Sequence, residues 1–118
     1  MPQYRISNAA RADIVDILRV SQAQFGDQAR QRYQALILAA LQAIADTPYR
    51  IGSYERDELA PGLRSYHLIY SRQQAKQPHG AVKNPRHIVF YRVATADVID
   101  VVRLLHDAME GQLHLPND

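Results

Sequence analysis

The sequence predicts an α+β fold: an N-terminal strand and an antiparallel two-helix hairpin packed on a mainly antiparallel sheet of three to four strands. Two neighbouring segments, at about residues 8–24 and 27–46, carry apolar side chains at helical spacing. Only two residues separate these segments, so the two helices are expected to lie side by side in opposite directions. The C-terminal half instead contains runs of aromatic and β-branched residues, which favour strands.

The two predicted helices have recognisable boundaries. Ser7 is a residue type that caps helix N-termini, because its hydroxyl group can accept a hydrogen bond from a free backbone N–H. Gly26 is expected to end the first helix, and Asp27 is expected to cap the second. The second helix should end near Asp46, because Pro48 disfavours helical geometry in the residue before it.

The predicted strands lie at both ends of the chain. Residues 3–7 alternate polar and apolar side chains, which places Tyr4 and Ile6 on the core side of a short strand. We expect irregular structure at residues 48–62. Three further runs predict strands, of which the last two should form a hairpin: residues 63–72, 86–93 and 98–106.

We expect residues 1–118 to form a single domain. Positive charge is concentrated in one segment of it. No acidic residue occurs between Glu58 and Asp97, whereas the same segment contains six lysines and arginines. It includes a polar loop at about residues 73–85, and the chain should end in a flexible tail at about 110–118. The basic segment indicates either an anionic partner, such as a nucleic acid or an acidic protein, or a solvated loop.

The composition excludes several kinds of site. The chain contains no cysteine, which excludes disulfide bonds, thiolate zinc sites and a cysteine nucleophile. The five histidines lack the helical spacing of a metal site, and there is no glycine-rich phosphate loop, so we expect neither metal nor cofactor. The longest apolar run has seven residues, far fewer than the ~18 that cross a membrane. Without an apolar stretch at the N-terminus, the sequence favours a cytoplasmic protein.

Five short motifs resemble those of the ParE-type toxins in the RelE/ParE toxin superfamily. They start at Tyr4, Phe25, Pro61, His87 and Val101, and their sequences are YRIS, FG, PGLRS, HIVFYRV and VVRLLHD. Their order and spacing match the family, and the likeness extends over nearly the whole chain. One departure is the loop at residues 73–85, which looks inserted where the family has a short connection between strands.

The resemblance implies the toxin of a type II toxin–antitoxin module, neutralised in a hetero-oligomer by a cognate ParD-like antitoxin. ParE-type members inhibit DNA gyrase, so the leading expectation is a gyrase-binding inhibitor that is not an enzyme. RelE-type members instead cut messenger RNA on the ribosome, which makes an endoribonuclease the alternative. A third possibility is an interaction module that has kept the fold and lost the toxic activity.

We expect the chain to contact its target through side chains of the basic strands and the end of the last strand. The guanidinium groups of Arg64 and Arg92 should share the open face of the sheet, with an ion pair to a nearby carboxylate such as Glu55 as the alternative for Arg64. Direct binding to nucleic acid is possible but not favoured. The candidate target contacts are Arg64, Tyr91, Arg92, Arg103, His106 and Met109.

An RNA-cutting enzyme would need three kinds of group in a single cleft. These are a base that activates the 2′-hydroxyl group, cations that stabilise the phosphorane and an acid that protonates the leaving oxygen. The chain has only two lysines, Lys76 and Lys83, and both lie in the predicted loop. Because the RelE branch is rich in lysine around its second strand, this placement weighs against the alternative. The residues available for it are Arg64, His67, Arg92 and His106.

The antitoxin is expected to bind as a segment that folds onto apolar surface beside the helices. The candidate contacts are Ile17 in the first helix and Leu36 and Leu41 in the second. For the two leucines, burial in the core is the alternative interpretation.

Overall fold

A computed structural model describes residues Gln3 to Met109. Within this range the chain forms a five-stranded sheet in the order β1-β5-β4-β3-β2, with β1 parallel to β5 and the other neighbours antiparallel. The predicted α+β class, with its helical hairpin and mainly antiparallel sheet, is confirmed. The predicted tail at 110–118 lies outside the described residues. The elements are β1 (Gln3–Ile6), α1 (Asn8–Phe25), α2 (Asp27–Asp46), β2 (Ser53–Glu55), β3 (Arg64–His67), β4 (His87–Thr95) and β5 (Val98–His106).

The helical hairpin is held by local contacts at its ends. Ser7 caps α1 as predicted, since its Oγ accepts a hydrogen bond from the backbone N–H of Ala10 at 3.0 Å. Gly26 joins the helices with a φ of 91°, a region that favours glycine. The prediction that Asp27 caps α2 is wrong, because Gly26 occupies the cap position and Asp27 is the first helical residue. Its carboxylate instead accepts a hydrogen bond from Gln22 at 2.8 Å.

The main core lies between the hairpin and one face of the sheet. Leu36, Leu41 and Ile44 of α2 are all at most 1% exposed and pack against the strands. Tyr4 and Ile6 contribute from β1, as predicted. The other strand residues in this core are Tyr66, Val89, Tyr91, Ile99, Val101 and Leu104.

A second, smaller apolar cluster lies on the opposite face. Phe90 and Leu105 alternate with core residues along their strands, so their side chains point away from the helices. They pack against Ala60 and Leu63, which precede β3. The guanidinium group of Arg56 lies 5.7 Å from the Phe90 ring. The segment before β3 therefore covers the centre of this face.

Two elements differ from the sequence prediction. The short strand β2 lies in the region expected to be irregular, and the strand expected to continue to residue 72 ends at His67. Residues 68–71 turn into a 3₁₀ helix, because the His67 ring accepts a hydrogen bond from the N–H of Ile69 at 3.1 Å. Gly52 is required before β2, since an added Cβ would lie 2.7 Å from the ring of Tyr70. As predicted, residues 73–85 form a loop, which is closed by a turn between residues 77 and 80.

Candidate functional site

Arg64 connects β3 to β2 and is mostly buried. Its Nε donates a hydrogen bond to Ser53 Oγ at 2.8 Å, and its guanidinium carbon lies 4.8 Å from the centre of the Tyr49 ring. The carboxylate of Glu55 lies 3.9 Å from the guanidinium group. With only 13% of its side chain exposed, Arg64 stabilises the edge of the sheet and offers little surface to a target.

Tyr91 also lies inside the protein. Its side chain is fully buried in the main core, and its hydroxyl group donates a hydrogen bond to the Pro48 carbonyl and contacts the hydroxyl of Ser53. Burial raises the pKa of Tyr91. The expectation that Tyr91 contacts a target is corrected, because a partner cannot reach the ring in this conformation.

Arg92 lies on the other face of the sheet from Arg64. Arg64 pairs with Tyr91 across β3 and β4 and therefore shares its face, whereas Arg92 is the next residue along β4 and faces the opposite way. Its Nε donates a hydrogen bond to the carbonyl of Pro61 at 3.2 Å. The expectation that both guanidinium groups share one open face is therefore wrong.

Arg103 is bound by a carboxylate from α1. Its Nε and Nη2 donate to the two oxygens of Asp13 at 2.7 and 2.9 Å, and these hydrogen bonds raise the pKa of Arg103. Asp13 also accepts the backbone N–H of Leu104 at 3.0 Å. β1 pairs with β5 only as far as Val101. Beyond that point the Asp13 carboxylate, in place of a neighbouring strand, accepts the backbone N–H at this edge of β5. This geometry directs the Arg103 guanidinium towards α1.

A polar cluster forms where β3 and β5 end beside the start of β4. The carboxylate of Asp107 lies 3.1 Å from His67 Nε2 and 3.5 Å from His106 Nδ1, and it accepts three hydrogen bonds from Arg86, two from Nε at 3.1 Å and one from Nη2 at 2.9 Å. The hydrogen bonds from Arg86 are the main reason that the pKa of Asp107 falls to about 2. Two of the four ribonuclease candidates, His67 and His106, thus come together here.

The cluster includes Arg86 and Asp107, which the sequence analysis did not single out. Arg86 precedes β4 and Asp107 follows β5, and the pairing of His87 with His106 brings them together. The predicted hairpin could have indicated this contact. Extending each of its two strands by one residue places Arg86 opposite Asp107.

His87 stands at the inner edge of this cluster. Its Nδ1 lies 2.6 Å from the hydroxyl of Tyr33, which also accepts the backbone N–H of Arg86 at 3.2 Å. The His106 ring packs edge-on against the His87 ring, with 5.4 Å between the ring centres. Burial, followed by the charge of His106, lowers the pKa of His87 to about 4. At neutral pH the imidazole of His87 is therefore uncharged and hydrogen-bonded to Tyr33.

We expect the stability of the protein to depend on His87 in mildly acidic solution. Protonation favours the unfolded chain because the folded-state pKa lies below the ordinary value of 6.5. The stabilisation is complete above pH 6.5 and should decrease by about 2 kcal/mol as the pH falls to about 4, after allowance for partial exposure. Denaturant unfolding of the wild type and a His87→Gln variant across this range measures the difference. If the free energies of unfolding of the two proteins changed equally with pH, the pH dependence would not come from His87.

An open groove of about 860 Å³ begins at this cluster. It runs between the second half of α1, the start of α2 and the loop at residues 79–84, and it reaches His87 and His106 at one end. The half-buried side chain of Ile17 lines it. Leu36 and Leu41 do not, and their burial in the core removes them from the expected antitoxin contacts.

Two of the predicted target contacts remain accessible at the end of β5. The side chain of His106 is 42% exposed and Met109 is 46% exposed. Within residues 3–109, no group of three or more histidine, aspartate or glutamate side chains is placed to hold a metal ion. Neither helix in this range is long and apolar enough to cross a membrane.

The sequence matches a known protein family over most of its length. A family model described as the ParE toxin of the type II toxin–antitoxin system parDE matches residues 4–111. The chain belongs to the ParE toxin family. Membership of this family makes it the ParE-type toxin of a type II toxin–antitoxin system, and the matched region includes the loop at residues 73–85.

Individual relatives of the ParE family are similar over almost the whole chain. Toxin ParE1 of Caulobacter vibrioides is 29% identical over 116 residues, which cover 98% of this chain and 99% of the relative. Toxin ParE1 of Mycobacterium tuberculosis is 32% identical over 113 residues, covering 96% and 97%. A solved structure described as a chromosomal ParDE system from P. aeruginosa superposes with a TM-score of 0.64 at 12% identity, covering 90% of this chain and 95% of that one. That last likeness concerns the fold alone.

Proposed function

We propose that this ParE-family toxin inhibits DNA gyrase by direct binding and is neutralised by a cognate ParD-like antitoxin. The observation that carries the proposal is the family match over residues 4–111. The solved structure with the same fold is described as a ParDE system, which supports an antitoxin as the partner. Both proposed partners act in the cytoplasm, so the proposal also requires this location.

The arrangement of the side chains favours a binding protein over a ribonuclease. Of the four ribonuclease candidates, His67 and His106 contact Asp107, whereas Arg64 bonds to Ser53 and Arg92 faces the other side of the sheet. The cation nearest the histidines, Arg86, is bound to the same carboxylate. A base, an acid and unneutralised cations are needed together to cleave RNA. The candidate set does not provide this combination.

The proposed gyrase-binding surface consists of His106 and Met109 at the end of β5. Both residues are partly accessible, and they lie at the same end of the sheet. Arg92 is not part of this surface, because it lies on the face opposite the helices and five residues along β4 from His87, the partner of His106.

Expression of the toxin without its antitoxin tests the proposed function in cells. We expect growth arrest together with DNA breaks covalently bound to gyrase, and co-expression of the antitoxin should prevent both. Intact DNA with ribosome-dependent cuts in messenger RNA would overturn the proposal in favour of the RelE-type alternative. Normal growth at a verified level of soluble protein would instead indicate an inactive interaction module.

A further inference from the structure

Asp107 is held by Arg86 at the point where the chain leaves the sheet. It is the first residue after β5, and its side chain is only 23% exposed. The carboxylate accepts three hydrogen bonds from the Arg86 guanidinium group. In addition, the backbone N–H of Asp107 donates to the carbonyl of Arg86 at 2.8 Å. Arg86 therefore fixes both the backbone and the side chain of Asp107.

His67 adds a contact from a strand that is not a neighbour of β5. In the sheet β4 lies between β3 and β5, yet His67 Nε2 lies 3.1 Å from the Asp107 carboxylate. The Nδ1 atom of His67 accepts the backbone N–H of Ile69 at 3.1 Å, so Nε2 is the ring atom that carries a proton and donates it to Asp107. The carboxylate thereby links the adjoining ends of β3, β4 and β5.

The turn that follows Asp107 is bound to His106. The backbone N–H of Ala108 donates to His106 Nδ1 at 3.1 Å, and that of Met109 donates to the His106 carbonyl at 3.0 Å. The His106 ring in turn packs edge-on against His87. The position of Met109 relative to His106 is thus set by two successive hydrogen bonds.

We propose that Asp107 is a positioning residue for target binding, held by Arg86 and His67 so that His106 and Met109 are presented to gyrase in one fixed arrangement. The inference rests on the proposed function. His106 and Met109 flank Asp107 in the chain, so a movement of Asp107 changes the spacing of the two contact residues. A surface that is ordered before binding loses less conformational entropy on association and binds more tightly. Asp107 itself needs no contact with gyrase.

The other end of β5 supplies a matched control. Arg5 Nε donates to the Asp100 carboxylate at 2.7 Å, but the two side chains are 66% and 43% exposed. Asp100 lies within the strand and, at ~3.3 Å per residue, about 20 Å from His106. Asp100→Asn therefore removes the same kind of charge from the same strand, far from the proposed gyrase-binding surface.

Inhibition of purified gyrase measures the positioning effect. Asp107→Asn keeps the size of the side chain and removes the charge that Arg86 binds. The toxin concentration that halves supercoiling should rise about tenfold for this variant and stay within about twofold of the wild type for Asp100→Asn. Arg86→Gln removes the same contact from the other side and should reproduce the loss. Circular dichroism verifies that each variant is folded at the assay temperature.

Hydrogen exchange measures the arrangement itself in the absence of gyrase. In Asp107→Asn, the backbone N–H groups of Ala108 and Met109 should exchange at least about tenfold faster than in the wild type. The N–H groups within β5, such as that of Leu104, should keep their protection. Unchanged exchange at Ala108 and Met109 would show that Asp107 does not order the turn, and would overturn the proposal.

A double variant separates positioning from a general effect on stability. If Asp107 acts through Met109, the Asp107→Asn/Met109→Asp protein should lose no more than about twofold in potency beyond Met109→Asp alone. Val15→Asp places the same charge at an exposed apolar position on α1, and it should add nothing to the effect of Asp107→Asn. Losses that multiply in the Asp107→Asn/Met109→Asp protein would mean that the two residues act independently, which contradicts the proposal.

The outcomes distinguish this proposal from the proposed function. Inhibition of gyrase by the wild type that Asp107→Asn and Arg86→Gln leave unchanged would remove the positioning role and leave the function intact. Absence of inhibition by the folded wild-type toxin would overturn both.

Discussion

Replacing Asp13 with alanine is expected to lower the free energy of unfolding by about 3 kcal/mol. The carboxylate forms two hydrogen bonds with Arg103 and a third with the backbone N–H of Leu104. Its side chain is only 14% exposed, and that of Arg103 is 22% exposed. The substitution would thus remove the Asp13 carboxylate from a mostly buried guanidinium group and from a strand N–H. Urea denaturation followed by circular dichroism measures the change.

Asp16 on the same helix is the matched control for this experiment. It forms an ion pair with Arg19 one turn away, but the two side chains are 61% and 76% exposed. Exposed pairs of this kind contribute little, so Asp16→Ala should change the stability by less than about 0.5 kcal/mol. Equal effects of the two substitutions would show that Asp13 does not anchor the edge of β5.

Replacing Leu41 with alanine should lower the free energy of unfolding by about 3 kcal/mol. Leu41 is fully buried in the main core, so the shorter side chain leaves a cavity in addition to the lost apolar contact. Leu38→Ala, three residues earlier on the same helix, is the control. Since Leu38 is 49% exposed, its truncation should cost no more than about 0.5 kcal/mol.

The same pair of variants checks the corrected role of Leu41. If its side chain only supports the core, the folded Leu41→Ala protein should bind the antitoxin with the affinity of the wild type. Calorimetry at a temperature where both proteins are folded makes the comparison. A stability loss near zero with a large loss of antitoxin affinity would restore Leu41 as a contact residue.

The hairpin could be predicted from the sequence because its signals are local. Ser7, Gly26 and Pro48 act on the residues beside them, and the structure places the helix ends close to where these residues predict them. Strand β2 could not be predicted in the same way. Its three residues are held in a strand by pairing with β3, and nothing in their own sequence distinguishes them from a turn.

The site was harder to predict because it depends on contacts between distant parts of the chain. Asp13 and Arg103 are 90 residues apart, and no sequence pattern connects them. The opposite faces of Arg64 and Arg92 follow from the register of β3 against β4, which the sequence does not specify. The groove likewise requires the loop at residues 73–85 to lie against the helical hairpin.

We propose that the toxin stops gyrase by binding it through the end of β5. The most direct measurement is the supercoiling of relaxed plasmid DNA by purified gyrase in the presence of wild-type toxin, Met109→Asp or Val15→Asp. We predict inhibition by the wild type and by Val15→Asp, and at least about a tenfold loss of potency for Met109→Asp, whose charge would be buried in the complex. Full supercoiling activity at a saturating concentration of folded wild-type toxin would contradict the claim.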